Sequence, residues 1–196
     1  MERDRLTAFT DGVLAIIVTI MVLEMRPPHG TTLADLLRLW PVFLSYVLSF
    51  VYVGIYWNNH HHFFQLVKTV DGAILWANLH ILFWLSLVPF ATAWMGENHF
   101  APTPTALYGV SLLMPAVAWV VMQRVIVHSQ GPSSPLRRAL GRDLKGKFSP
   151  LLYLVGVFLA YVDTRLAGLA YAAVALLWLV PDRRIEALLK AELDPS

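Results

Sequence analysis

A chain of 196 residues that is 57% hydrophobic and 14% charged is far poorer in charge than a soluble domain, where about 25% of residues are charged. That composition excludes an ordinary water-soluble fold and defines an integral membrane protein. Cysteine is absent, so disulfides and thiolate metal sites are excluded. The basic balance, with a pI near 9.0, resides in loops between apolar runs, where it is a topology signal rather than a nucleic-acid surface.

The first predicted element runs from Leu6 to Met25 and is stopped by Pro27 and Pro28, which cannot continue a helix. A bilayer crossing takes about 20 residues, so this run suffices. Glu2, Arg3, Asp4 and Arg5 are mixed in sign and no small-residue cleavage site follows, so the first helix is expected to stay in place. Further spans are predicted over 32–58 (with room to extend to Val67), 73–95, 105–127, 150–162 and 166–180. Asp163, Thr164 and Arg165 separate the last two. One helix over 149–180 would be about 48 Å long against a hydrocarbon core of about 30 Å, so a helical hairpin is expected. Residues 128–148 read as a basic cytoplasmic linker anchored near anionic headgroups, and 182–196 as a short amphipathic cytoplasmic tail. The fold class is therefore all-α with six transmembrane helices in a single domain.

Loop charges orient the chain. With the N-terminus inside, the inner segments hold Arg3, Arg5, Lys68, Arg124, Arg137, Arg138, Arg142, Lys145, Lys147, Arg183, Arg184 and Lys190; the outside keeps Arg26, Arg38 and Arg165. This positive-inside bias makes both termini cytoplasmic and supports an even number of spans.

Asp11 stands out because an ionisable group inside a span is costly and usually has a partner or a function. It reads as a proton site, an ion ligand, or a structural carboxylate buried against neighbouring helices. Its place a few residues from the inner end favours the structural role. The stretch Trp57, Asn58, Asn59, His60, His61, His62 closes the second span. Consecutive helical residues splay by about 100° and do not converge on one ion, so a metal site is not expected. Instead, one or two imidazoles are expected to pair with Asp11, Arg5 or Asn78. Asn78 and His80, with Trp76 and Trp84, would form the other side of that cluster. Pro89 should kink the third span and free a carbonyl for Thr92.

On a helix at about 100° per residue, Phe9, Gly12, Ile16, Thr19, Ile20 and Leu23 share one face of the first span, and Asp11 points away from it. Gly12 and Thr19 supply the small and hydroxyl groups that suit close packing or contact with an ion. Glu24 lies at the outer end, where it draws cations or sits among headgroups. No carbonyl filter of the TVGYG type, no arginine ladder, no phosphate loop and no GxSxG occur in the sequence, so these classes are not indicated.

The run Arg5, Phe9, Thr10, Asp11, Gly12 resembles the RxxxFSD signature of the lysosomal/endosomal potassium channel family, in its prokaryotic branch, with Thr10 conserving the hydroxyl. LSFVYVGIYWNNHHHFF (48–64) and NLHILFWLSLVPFATAW (78–94) continue the resemblance through the first three spans. The last three match in hydropathy and spacing only. The resemblance implies a homotetramer of six-helix subunits in a bacterial or archaeal inner or plasma membrane, with its pore lined by the first helices. It implies a potassium-selective leak channel with a hydrophobic constriction, K+ as the only ion bound, no cofactor and no enzymatic activity. Carried over by position, Ile16 is the constriction, Thr19 the hydroxyl layer, and Ile20 and Leu23 further apolar pore positions. Arg5, Thr10, Asp11, His60, His61, Asn78 and His80 then form the structural polar network. Two other readings stay open: a proton-coupled transporter using Asp11 and the histidines, and a membrane enzyme or haem protein using His60, His61, His62 or His80.

Overall fold

The computed structural model describes residues 2–131, 136–137 and 144–179. Among these, the regular structure is entirely helical: α1 Arg3–Leu23, α2 Leu33–Leu37, α3 Trp40–Gln65, α4 Gly72–Ser86, α5 Val88–Glu97, α6 Pro102–Gln130, α7 Leu144–Leu159 and α8 Thr164–Leu179. Local chemistry sets the ends. Thr32 and Asp35 form a reciprocal capping box at α2. Pro41 and Pro102 occupy first-turn positions of α3 and α6, where a missing N–H costs nothing. Asp71 caps α4 through the Ile74 amide at 2.9 Å and also accepts from the Ser129 hydroxyl at the end of α6.

Several expected boundaries shift. The second predicted span divides into α2 and α3, and α3 reaches Gln65. The third breaks at Leu87, two residues before Pro89, into α4 and α5; the Leu87 amide turns to the Trp84 carbonyl at 3.2 Å. Four stretches are long and apolar enough to cross a membrane, taking α4 and α5 together: 3–23, 40–65, 72–97 and 102–130. α7 and α8 have 16 residues each, pack against each other and are joined by the turn at 160–163, where Asp163 N donates to Leu159 O at 2.8 Å. In the 128–148 segment, α6 extends to Gln130 and Leu136 is buried in the core. Arg138, Arg142, Arg183, Arg184, Lys190 and the 182–196 tail lie outside the described residues.

α6 is the hub, packing on α4, α5, α7 and α8, while α1 lies on α3, α4 and α5. Two apolar clusters result. One joins Leu6, Leu14, Ile17 and Met21 of α1 to Phe63, Phe64, Ile74, Ile81, Met122 and Ile126. The other surrounds Tyr52, Tyr108, Tyr153 and Tyr171. Helices in lipid gain little from hydrophobicity against one another, so close approach through small residues carries the packing. Gly109 of α6 and Gly156 of α7 flank Tyr171: a Cβ on Gly109 would stand 2.0 Å from its hydroxyl, and one on Gly156 would stand 2.4 Å from its ring. Tyr171 donates to the Thr105 carbonyl at 3.3 Å, and its own carbonyl accepts from Tyr52 at 2.5 Å. Gly96 lets α5 meet the α3 backbone, since its Cβ would lie 2.8 Å from Val42 Cα.

Gly156→Ala is expected to lower stability by about 1–3 kcal/mol, the usual cost of overpacking. Gly72→Ala, where a Cβ meets nothing within 4 Å, is expected to leave the thermal midpoint unchanged. Thermal unfolding of the two variants in detergent compares them. The Ser129 hydroxyl and then the Ile74 amide hold the Asp71 carboxyl below its ordinary value of 3.8. A depressed carboxyl pKa stabilises the fold above the unfolded value, and that contribution is lost as pH falls through the folded value. Ser129→Ala should therefore flatten the acid limb of the stability–pH curve below about pH 4.

Candidate functional site: the exposed face of the first helix and its polar anchor

α1 is divided lengthwise. Leu6, Thr10, Leu14, Ile17 and Met21 are buried, at the three- and four-residue spacing of one helical face. Facing away are Ile16, 60% exposed, and Leu23, 73% exposed, together with Phe9, Ile20 and the exposed Gly12 and Thr19. These positions form a continuous apolar strip along α1. Its one hydroxyl, on Thr19, donates to the Ala15 carbonyl at 2.9 Å. The oxygen's lone pairs therefore remain open to the exposed side.

A three-residue hydrogen-bond chain sets the rotation of α1. Asn78 Nδ2 donates to Thr10 Oγ1 at 2.9 Å, and Asn78 Oδ1 lies 2.9 Å from His60 Nε2. With the amide nitrogen committed to Thr10, Oδ1 is the acceptor and His60 carries its proton on Nε2. All three residues are buried, so α1, α3 and α4 are joined by hydrogen-bonded polar groups in an apolar interior. The His60 ring also stacks on Phe64, with centroids 4.3 Å apart.

The other expected members of the network take separate places. Asp11 is exposed rather than buried, because it sits at the edge of α1 facing α3, where its Oδ1 accepts from Trp57 Nε1 at 3.1 Å. His61 pairs with Gln65 one turn on, at 3.0 Å. His80 accepts from Trp84 Nε1 at 2.9 Å within α4, so it is a local partner and not part of the Asn78 cluster; Trp76 is exposed. Among the described residues the Arg5 guanidinium has no hydrogen-bond or ion-pair partner. Thr92 bonds the Val88 carbonyl at 2.7 Å, one turn back on α5, so its hydroxyl does not serve the carbonyl of Leu85 that Pro89 leaves without its amide partner. Sequence reasoning missed two contacts: Trp57 as the partner of Asp11, and the trio in which Ser49 Oγ lies 2.7 Å from Thr92 Oγ1 and 3.0 Å from the Tyr108 hydroxyl. A buried serine on an apolar helix was the available signal, since it must find a partner. Among the described residues no group of three or more His, Cys, Asp or Glu is placed to hold a metal ion.

These features define a helical membrane protein in which one apolar helix is pinned along one side and bare along the other. Residues 5–89 match the family described as Endosomal/lysosomal potassium channel TMEM175. A potassium channel of Chryseobacterium sp. (strain P1-3) is 52% identical over 97% of this chain and 99% of its own length. The crystal structure of a lysosomal potassium-selective channel TMEM175 homolog from Chamaesiphon minutus superposes with a TM-score of 0.80 at 29% identity, covering 92% of this chain and 98% of that one. The human protein named endosomal/lysosomal proton channel TMEM175 is 30% identical over 46% of this chain and 20% of its own length. The chain belongs to the TMEM175 family.

Asn78→Ala removes the middle of the buried chain and leaves Thr10 and His60 without each other's bridge. A loss of about 1–3 kcal/mol is expected, read as a lower thermal midpoint in detergent. His61→Ala, whose partner is exposed, should cost less than about 0.5 kcal/mol.

Proposed function

We propose that this chain forms a potassium-selective leak channel, a homotetramer of six-helix subunits whose α1 helices line the pore. The observation that carries the reading is the two-sided character of α1. Ile16, Ile20 and Leu23 are bare in the single chain, while the opposite face is locked by apolar packing and the Thr10, Asn78, His60 chain. Four such strips facing one axis make an apolar tube with a hydroxyl layer at Thr19. Relatives named potassium channel that match almost the whole chain support it.

An apolar ring excludes ions by dewetting when narrow and passes partly dehydrated ones when wide. Potassium sheds water more cheaply than sodium, so Ile16 as the constriction favours potassium moderately and without ligands. No cofactor and no catalytic step belong to this reading. α7 and α8, about 24 Å long at 1.5 Å per residue, serve as short spans that tilt little and thin the bilayer locally. Six spans and the positive-inside bias leave both termini in the cytoplasm of a bacterial or archaeal cell. A proton-coupled transporter draws less support, because Asp11 and His60 take different partners, Trp57 and Asn78.

Purified protein in liposomes is expected to pass potassium faster than sodium with flux that does not saturate; absence of flux in vesicles holding folded protein would remove the proposal. Ile16→Asn is expected to raise conductance or reduce the preference for potassium over sodium. Single-channel recording in planar bilayers checks this, and unchanged currents and selectivity would count against Ile16 as the constriction.

A further inference from the structure

At the end of the bundle where α1 finishes, a groove of about 690 Å3 opens between α3, the start of α6 and α8. Its walls are apolar: Trp40 and Leu44 of α3, Phe100 of the turn before α6, and Leu169 of α8. Trp40 and Phe100 meet at its rim, with ring centroids 5.7 Å apart. Arg165 and His99 line it and no carboxylate does. The neighbouring Asp163 carboxylate accepts from the Arg165 backbone amide at 2.8 Å, and among the described residues the guanidinium has no ion-pair partner. Thr105, 1% exposed, also lines the groove, and its hydroxyl has no hydrogen-bond partner among the described residues.

We infer that this groove holds one anionic phospholipid, with an acyl chain along the apolar wall and the phosphate at Arg165. Two observations select that occupant. An apolar channel with a guanidinium and no carboxylate complements a chain joined to an anion, and guanidinium pairs with phosphate in a bidentate fork. α8 packs on α3, α6 and α7 while α1 packs on α3, α4 and α5, so the groove lies on the flank of α3 away from the bare face of α1. Under the channel reading, on which this placement rests, that flank faces lipid rather than a second copy.

Gly168 lines the groove on α8, and a Cβ there meets nothing within 4 Å. Gly168→Phe therefore fills the groove from open space, and Arg165→Gln removes the charge at an exposed position. The test places the full chain in phosphatidylcholine nanodiscs containing a photoactivatable phosphatidylglycerol and maps crosslinks by peptide mass. Crosslinks on 99–105 and 164–172 are expected in the wild type. They should fall about fivefold in Arg165→Gln, as suits one basic side chain at a membrane surface, and vanish in Gly168→Phe. Phosphatidylglycerol crosslinks unchanged in Arg165→Gln overturn the inference whether or not Gly168→Phe folds. A changed assembly mass for Gly168→Phe by light scattering also overturns it, by assigning the groove to a second copy. Neither readout uses ion flux, so failure of the potassium reading shows separately.

Discussion

One buried hydrogen-bond chain determines which way α1 faces. Thr10, Asn78 and His60 lie on three helices and satisfy one another in a buried, apolar setting. Rotating α1 by even one residue, about 100°, would carry Thr10 out of reach and leave the Asn78 amide unpaired. In lipid such interhelical bonds contribute only about 0.6–2 kcal/mol each. Their weight lies in the penalty for every other rotation, since no water is present to take up the orphaned groups. The bare strip from Phe9 to Leu23 is the consequence: with Thr10 held inward, those side chains have nowhere to point but outward.

The same economy governs the rest of the bundle. α6 packs on α4, α5, α7 and α8 because glycine and alanine let backbones come close, and Tyr171 fills the space that Gly109 and Gly156 leave open. Tyrosine suits that position: its ring packs between glycines while its hydroxyl reaches the Thr105 carbonyl. At the other end of the same helices, Asp71 receives both the α4 amide and the Ser129 hydroxyl, fastening the start of α4 to the end of α6. Polar groups here serve as fasteners between helices whose apolar surfaces alone do not discriminate among registers.

Around the exposed strip, charge is kept at the edges. Asp11 is about two turns from the start of α1 and is held by Trp57, while Glu24 follows Leu23 at the other end, exposed. Between them the strip carries a single hydroxyl. Under the proposed channel reading this arrangement suits a hydrophobic barrier, because a charge within a constriction would hydrate it at all times.

Hydropathy and proline positions were enough, read along the chain, to place the four long apolar runs and to separate α7 from α8. Those features follow from composition, which acts locally. Tertiary structure alone decided the partners: that Asn78 bridges Thr10 to His60, that Asp11 meets Trp57 at an exposed edge, that His80 turns to Trp84, and that the third span breaks at Leu87. A membrane helix is apolar nearly all round, so periodicity does not say which side is covered, and a polar residue advertises that it needs a partner without naming one. The partner is settled by which backbones approach closely enough, and that depends on small residues far apart in the chain.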